Sequence, residues 1–101
     1  MSPIQSVLSA FGSDQVTIGA ASTGLTQSKV RNGGRWAEKA LITVTTAKIR
    51  WLDDGTDPTS TLGHEAFPGD VITLDNRNRI EKFRAIRTGS TSAILEVSYL
   101  A

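Results

Sequence analysis

Cysteine is absent from this chain of 101 residues, and histidine occurs once. Without thiols the protein cannot form a disulfide, a zinc–thiolate site or a cysteine nucleophile. An excess of charge of one sign is also missing, since 11 Lys and Arg residues oppose 10 Asp and Glu residues. A nearly neutral surface exerts no strong field on nucleic acid or on an acidic membrane, so we expect neither as a partner.

Long apolar runs are missing as well. No segment approaches the ~20 consecutive apolar residues of a membrane-spanning helix. The first residues, MSPIQSVLSAFGSD, lack the basic start and unbroken apolar core of a signal peptide. We therefore expect a soluble protein made in the cytoplasm. The chain length predicts a single domain. With 39% hydrophobic and 21% charged residues, its composition is normal for a folded domain.

The composition changes near Trp36. Residues 1–36 are rich in Ser, Thr, Gly, Ala and Gln, with few apolar positions. They predict a polar N-terminal arm with the first short strands, at 16–18 and 28–31, and a glycine turn at 32–35. Residues 37–101 predict the body of the domain, because apolar strands and turn residues follow one another there.

Strand periodicity is clearest at residues 40–46. Ala40, Ile42 and Val44 share one face, while Leu41 and Thr43 share the other. Further strands are expected at 48–52, 64–67, 71–74, 83–88 and 93–99, the last two as a pair joined across 88–91. Residues 68–70 predict a type II turn, 75–76 another turn, and 78–83 at most one helical turn. The fold class predicted is all-β: a small antiparallel β-sandwich, jelly-roll-like, with a polar N-terminal arm.

Candidate metal ligands are few. His64 and Glu65 before a Pro-Gly-Asp turn are similar to part of a cupin site, but the further histidines of cupins are missing. Asp53, Asp54 and Asp57 surround a glycine, yet their spacing does not match a calcium-binding EF-hand loop. Aspartate is also a favoured turn residue. We therefore predict no metal and no cofactor, and interpret residues 53–63 as an interface loop.

The densest basic stretch spans residues 77–87, with Arg77, Arg79, Lys82, Arg84 and Arg87. Nucleic-acid binding would require interleaved aromatic residues for stacking, and the single one here is at position 83, where it is expected in the core. Arginine is enriched at protein interfaces, so a contact strip is predicted instead.

Catalytic motifs are not found. The chain has no nucleophile elbow, no paired catalytic carboxylates and no phosphate-binding glycine loop, so no enzyme activity is predicted. An alternative interpretation is a sugar-binding face, for which the candidate aromatic residues are Trp36, Trp51, Phe67 and Tyr99. For Trp51 and Tyr99, however, the aliphatic neighbours in the strand pattern favour core packing.

Several short motifs in residues 37–101 form an ordered pattern. They are Ala-Leu-Ile-Thr-Val at 40–44, Ile-Arg-Trp followed by Asp-Asp-Gly-Thr within 49–56, Pro-Thr at 58–59, Gly-His at 63–64, Pro-Gly-Asp at 68–70, Phe-Arg-Ala-Ile-Arg at 83–87 and Val-Ser-Tyr at 97–99. This pattern resembles small virion proteins of tailed bacteriophages. The resemblance implies a capsid decoration (cement) protein that sits on the outside of the head shell, made in the host cytoplasm and located in the virion.

The partners implied are the major capsid protein or other virion proteins, together with further copies of this chain. Among oligomeric states a trimer is favoured, and a dimer is the alternative. Residues 1–20 and the loop 53–63 are expected to make the contacts, with interface residues Ile4, Val7, Leu8, Phe11, Asp53, Asp54, Asp57, Arg77 and Arg79. The alternatives are a tail, head–tail joining or fibre-base protein, or a glycan-binding attachment module.

Overall fold

The computed structural model describes residues 10–32 and 34–101. In that part of the chain strands dominate, and the all-β class predicted from the sequence is confirmed. The elements in chain order are β1 (Ala10–Ile18), α1 (Gln27–Val30), β2 (Arg31–Asn32), β3 (Arg35–Trp36), β4 (Lys39–Thr45), β5 (Ile49–Leu52), β6 (His64–Ala66), β7 (Val71–Leu74), α2 (Arg77–Lys82), β8 (Arg84–Arg87) and β9 (Ala93–Leu100).

The strands form two main sheets and a small hairpin. One sheet has four strands in the order β1-β9-β4-β7, and the other has three in the order β6-β5-β8. Strands β2 and β3 pair with each other. All of these pairings are antiparallel. The chain crosses between the two main sheets after β4, after β6, after β7 and again after β8.

The predicted pairing of the last two strands is wrong, although both strands exist. Strand β8 pairs with β5 in the three-stranded sheet, whereas β9 lies between β1 and β4 in the other. The connection at 88–92 carries the chain from one sheet to the other instead of reversing it in place. Each strand therefore finds its partners far away in the sequence, where its apolar face can be buried.

The segment 10–23 pairs with both sheets. Strand β1 pairs with β9 from Ala10, opposite Leu100, to Ile18, opposite Ala93. Thr23 then forms an isolated bridge to Ala85 of β8, with two backbone hydrogen bonds of 2.9 Å. This part of the predicted N-terminal arm thus forms one edge of the four-stranded sheet and continues along the outer side of β8.

The strand predicted at residues 28–31 is wrong at its first three positions, which lie in helix α1. The backbone amides of Lys29 and Val30 both donate to the carbonyl of Thr26, at 2.9 and 3.1 Å. This turn places Val30, 1% exposed, in the core. The turn predicted at 32–35 is confirmed at its described residues, since β2 pairs with β3 and Gly34 has a φ of +83°, whereas Gly33 lies outside the described residues.

One hydrophobic core is shared by both sheets. On β4 the buried face is that of Ala40, Ile42 and Val44, all with no solvent exposure. The remaining core members from the sheets include Val16, Ile18, Ile49, Ala66, Ile72, Leu74, Ala85, Ala93, Leu95, Val97 and Tyr99. Burial of a large aliphatic side chain contributes about 1.5–3 kcal/mol, so this cluster is the main source of stability.

Tight turns join the strands. Asp70 donates its amide to the carbonyl of Phe67 at 2.9 Å and Gly69 has a φ of +98°, which confirms the predicted type II turn. Between β4 and β5 the amide of Ala47 donates to the carbonyl of Thr45 at 2.8 Å, so Thr46 is the centre of a γ-turn. Its φ of +76° is rare for a β-branched residue.

The sequence predicts a helical turn at 78–83, and helix α2 spans Arg77–Lys82, so it begins one residue earlier and ends before Phe83, which is extended. Asn76, which the sequence placed in a turn, caps this helix: its side chain accepts a hydrogen bond from the Arg79 amide at 2.9 Å. Neither helix in the described part of the chain has the length and apolar character needed to span a bilayer.

Candidate interaction surfaces

The aspartates of the predicted interface loop do not converge on one point. Asp54 accepts a hydrogen bond from the backbone amide of Thr56 at 3.0 Å, and this bond is the main reason why the pKa of Asp54 lies below its usual value. Asp57 instead accepts from the hydroxyl of Ser22 at 2.8 Å. Within residues 10–32 and 34–101, no three His, Asp or Glu side chains are grouped as metal ligands.

Arg79 ties this loop to helix α2. Its Nε donates to Asp53 at 2.6 Å and its Nη1 donates to Asp75 at 2.9 Å. The bond to Asp53 is the largest of the contributions that raise the pKa of Arg79. The structure therefore brings two predicted interface residues, Asp53 and Arg79, into direct contact with each other. Their role at an interface stays a prediction.

The basic stretch at 77–87 is divided among several local contacts. Arg84 donates to the side-chain and carbonyl oxygens of Ser22, at 3.0 and 2.9 Å, and lies 3.4 Å from Asp57. Arg87 donates to the hydroxyl of Ser92 at 3.3 Å. Phe83 is fully buried, as the sequence predicted. This stretch therefore mostly holds neighbouring segments of the chain in place.

Arg77 lies in a different environment, close to the indole of Trp36. Its guanidinium carbon is 4.9 Å from the centre of the ring, and that of Arg31 is 4.6 Å away. Arg31 stands directly opposite Trp36 in the β2–β3 hairpin. We call these three residues the Arg–Trp–Arg cluster. Both arginines are exposed, and the tryptophan is half-buried.

An open cleft of about 510 Å³ lies beside the edge strands β6 and β7. We call it the edge cleft; its lining includes Trp51, His64, Asp70, Thr73 and Arg79. The rings of Trp51 and His64 are 4.9 Å apart, and Trp51 also stacks on Phe83 at 5.8 Å. Trp51 is thus in contact with the core on one side and with the cleft on the other.

Exposed apolar side chains are found near the same two strands. Val71 of β7 is 60% exposed, and Phe67, in the turn between β6 and β7, is 50% exposed. The ammonium group of Lys48 lies 5.1 Å from the centre of the Phe67 ring. In the described part of the chain, no strand pairs with the outer side of β6 or of β7. Backbone groups on such an edge are available to another strand.

A small ion-pair network stands on β6. Glu65 contacts both Lys48 and Arg50, the latter at 3.2 Å. The hydrogen bond and charge of Lys48, with a smaller contribution from Arg50, hold the pKa of Glu65 below its usual value. Arg50 also donates to the carbonyls of Ser60 and Gly63, at 3.0 and 2.8 Å. The loop before β6 is thereby fixed against β5.

The remaining residues that the sequence singled out differ in how deeply they are buried. Tyr99 is fully buried, so the predicted core packing is confirmed for it, whereas Trp51 is only half-buried. Phe11 is partly buried and packs against the core. The predicted interface residues Ile4, Val7 and Leu8 lie outside the described residues.

Sequence reasoning named Phe67 only for a sugar-binding face, and it missed Arg31 and Val71 as surface candidates. For Arg31 a signal exists, because a hairpin around the glycine turn at 32–35 places positions 31 and 36 opposite each other. For Val71 the alternation of β7 is ambiguous, since Val71, Ile72 and Leu74 are all apolar and only burial separates them.

Compared with models of protein families, with curated proteins and with solved structures, the chain shows no significant match to any of them.

Proposed function

We propose that this protein is a capsid decoration (cement) protein of a tailed-bacteriophage virion, and that its two sheets form a jelly-roll-like β-sandwich. The observation that carries the proposal is the ordered pattern of strand and turn motifs across residues 37–101. The proposed role is to bind the head shell through contacts with the major capsid protein and to stabilise it.

The edge cleft supports a role in protein–protein contact. Two strands with free outer edges, β6 and β7, stand beside exposed Phe67 and Val71. A partner strand added to such an edge gains backbone hydrogen bonds, while apolar side chains beside it supply buried area. We propose that this surface, together with residues 1–9 and the loop 53–63, contacts the shell or a neighbouring copy in a trimer.

The test is binding to capsids that lack the decoration protein, measured by co-sedimentation, with the oligomeric state followed by light scattering. We expect a defined oligomer that binds at a copy number comparable with that of the major capsid protein. A monomer that leaves capsids unbound would overturn the proposal. Binding only to particles with tails, at low copy number, would favour the tail, joining or fibre-base alternative.

Matched variants locate the contact surface. We expect the double substitution Phe67→Ser and Val71→Thr to weaken capsid binding. Thr17→Ser is the control, because Thr17 is exposed on β1, at the opposite edge of the four-stranded sheet from β7. Equal binding by the double variant and the control would contradict the assignment of the edge cleft.

A truncation tests the N-terminal contacts. It has to stop before Ala10, because removal of β1 would take away an edge strand that pairs with β9 along its length. We expect the chain that lacks residues 1–9 to fold and to bind capsids more weakly. Capsid binding at full affinity by this truncated chain would defeat the claim for the N-terminal contacts.

Glycan binding is a second candidate, because the rings of Trp51 and His64 stand together in a cleft that also contains Asp70 and Arg79. Aromatic faces beside polar groups are a common way to bind sugars. In a Trp36→Phe variant, Trp51 is the single remaining indole. Quenching of its fluorescence by a host-surface glycan, and no effect of that glycan on a His64→Ala variant, would favour this alternative.

A further inference from the structure

The arginines whose side chains the structure describes divide into two groups by their partners. Arg50 and Arg79 bind carboxylates, Arg84 binds Ser22 and lies near Asp57, and Arg87 binds Ser92. Arg31 and Arg77 differ. All ten Asp and Glu residues of the sequence fall in the described part of the chain, and none of their side chains forms an ion pair with Arg31 or Arg77 there.

These two arginines converge on one aromatic ring. Their guanidinium carbons lie 4.6 and 4.9 Å from the centre of the Trp36 indole. Each cation is attracted by the π-face of the ring. Trp36 thereby contacts two positively charged side chains at the surface.

The two guanidinium groups of the cluster indicate which chemical groups a partner would present. A guanidinium group is a planar donor that binds a carboxylate through two hydrogen bonds. We propose that the Arg–Trp–Arg cluster is a docking site for a carboxylate-rich segment of a partner protein, with Asp or Glu side chains bound by Arg31 and Arg77. Nucleic acid is disfavoured, because the net charge is +1 and one indole is no stacking platform for successive bases. This proposal does not depend on a role in a virion.

The test uses the intact protein and a peptide of eight glutamates. The chain contains two tryptophans, so NMR resolves two indole N–H signals, and a Trp36→Phe variant assigns that of Trp36. We expect the peptide to shift the Trp36 signal in a saturable manner at low ionic strength and to leave the Trp51 signal in place. A peptide of eight glutamines is expected to shift neither, and added salt is expected to weaken the response.

Charge-matched variants separate a defined site from general attraction. Arg31→Gln with Arg77→Gln is expected to weaken peptide binding at least about tenfold. The control combines Arg87→Gln with Lys39→Gln, which removes the same charge at β8 and β4, and it is expected to change binding less than about twofold.

Three results would overturn the proposal: no shift of Trp36 with the glutamate peptide, equal loss in both double variants, or tighter binding of a single-stranded oligonucleotide of equal charge. Failure of the capsid experiment would leave this peptide result unaffected, because the two tests depend on different residues.

Discussion

Asp53 and Arg79, which are 26 positions apart in the sequence, are joined by a hydrogen bond of 2.6 Å between a carboxylate oxygen and Nε. Asp53 directly follows β5, and Arg79 lies in the middle of α2. The pair therefore fixes the start of the loop 53–63 relative to the helix that follows β7. The first residue of this loop is thereby held in one defined position.

The Asp53–Arg79 pair is expected to contribute measurably to stability. In a double-mutant cycle with Asp53→Asn and Arg79→Gln, we expect a coupling free energy of about 1 kcal/mol, because both groups are partly shielded from solvent. The measurement is urea unfolding of the four proteins. The comparison cycle uses Asp75, whose side chain is 66% exposed, and a smaller coupling is expected there. Equal coupling in both cycles would contradict the special role of Asp53.

Glu65 is expected to make stability depend on pH in the acid range. Its pKa is lowered in the folded state, mainly by Lys48, so the unfolded chain binds protons more readily. The stabilisation is present above the usual carboxylate pKa and is lost as the pH falls through the lowered folded value. Glu65→Gln should thus be less stable than the wild type at neutral pH and equally stable in acid.

Urea midpoints measured from about pH 7 to about pH 2.5 test this prediction for Glu65. Glu81→Gln is the control, because Glu81 is exposed and makes no ion pair in the described part of the chain. A constant difference between wild type and Glu65→Gln at all pH values would show that the carboxylate charge is not responsible.

Tyr99 is expected to tolerate the loss of its hydroxyl. That group is buried, and no hydrogen-bond partner is found for it among the described residues. Burial, and to a lesser degree the charge of Asp14, raises its pKa, and the nearby backbone of Thr26 opposes the rise. An unsatisfied buried hydroxyl is costly, so Tyr99→Phe should raise the free energy of unfolding by about 1 kcal/mol.

Thermal unfolding tests this expectation for Tyr99, and Tyr99→Leu is the comparison. The smaller side chain leaves a cavity in the core and should destabilise the protein by about 2–4 kcal/mol. Destabilisation by Tyr99→Phe would mean that the hydroxyl is bonded in solution, for example by an ordered water.

Thr46 is expected to be a site where glycine stabilises the protein. Its φ of +76° strains a β-branched residue, and its side chain is exposed. The relief of strain should exceed the entropy that glycine adds to the unfolded chain, for a net gain of about 0.5–1 kcal/mol in Thr46→Gly. Thr46→Ala keeps a Cβ atom and should change stability little. A loss of stability in Thr46→Gly, measured by urea unfolding, would refute the prediction.

Local patterns in the sequence predict much of the fold. Alternation at 40–46 indicates strand β4, and Gly69 after Pro68 indicates the turn before β7. What alternation does not decide is which face is buried, because Leu41 and Ile42 are both apolar. The structure buries Ile42, since that face meets the core shared by the two sheets.

Long-range pairing is what the sequence does not predict. A short connection between β8 and β9 is compatible with a hairpin and with a crossing to the other sheet, and the crossing is what the structure shows. The surface candidates depend on such contacts too. Arg77 reaches Trp36 across 41 positions of sequence, and no local pattern indicates that they meet.

The order of the four-stranded sheet has a consequence for the newly synthesised chain. Its strand β9 separates β1 from β4, yet it is made later than every strand with which it pairs. While the ribosome is still translating the earlier strands, β1 and β4 have no shared partner and their apolar faces stay open. Contacts at such long sequence separation also form slowly. The protein therefore completes its core only after β9 has left the exit tunnel, and until then the nascent chain exposes apolar surface of the kind that promotes aggregation.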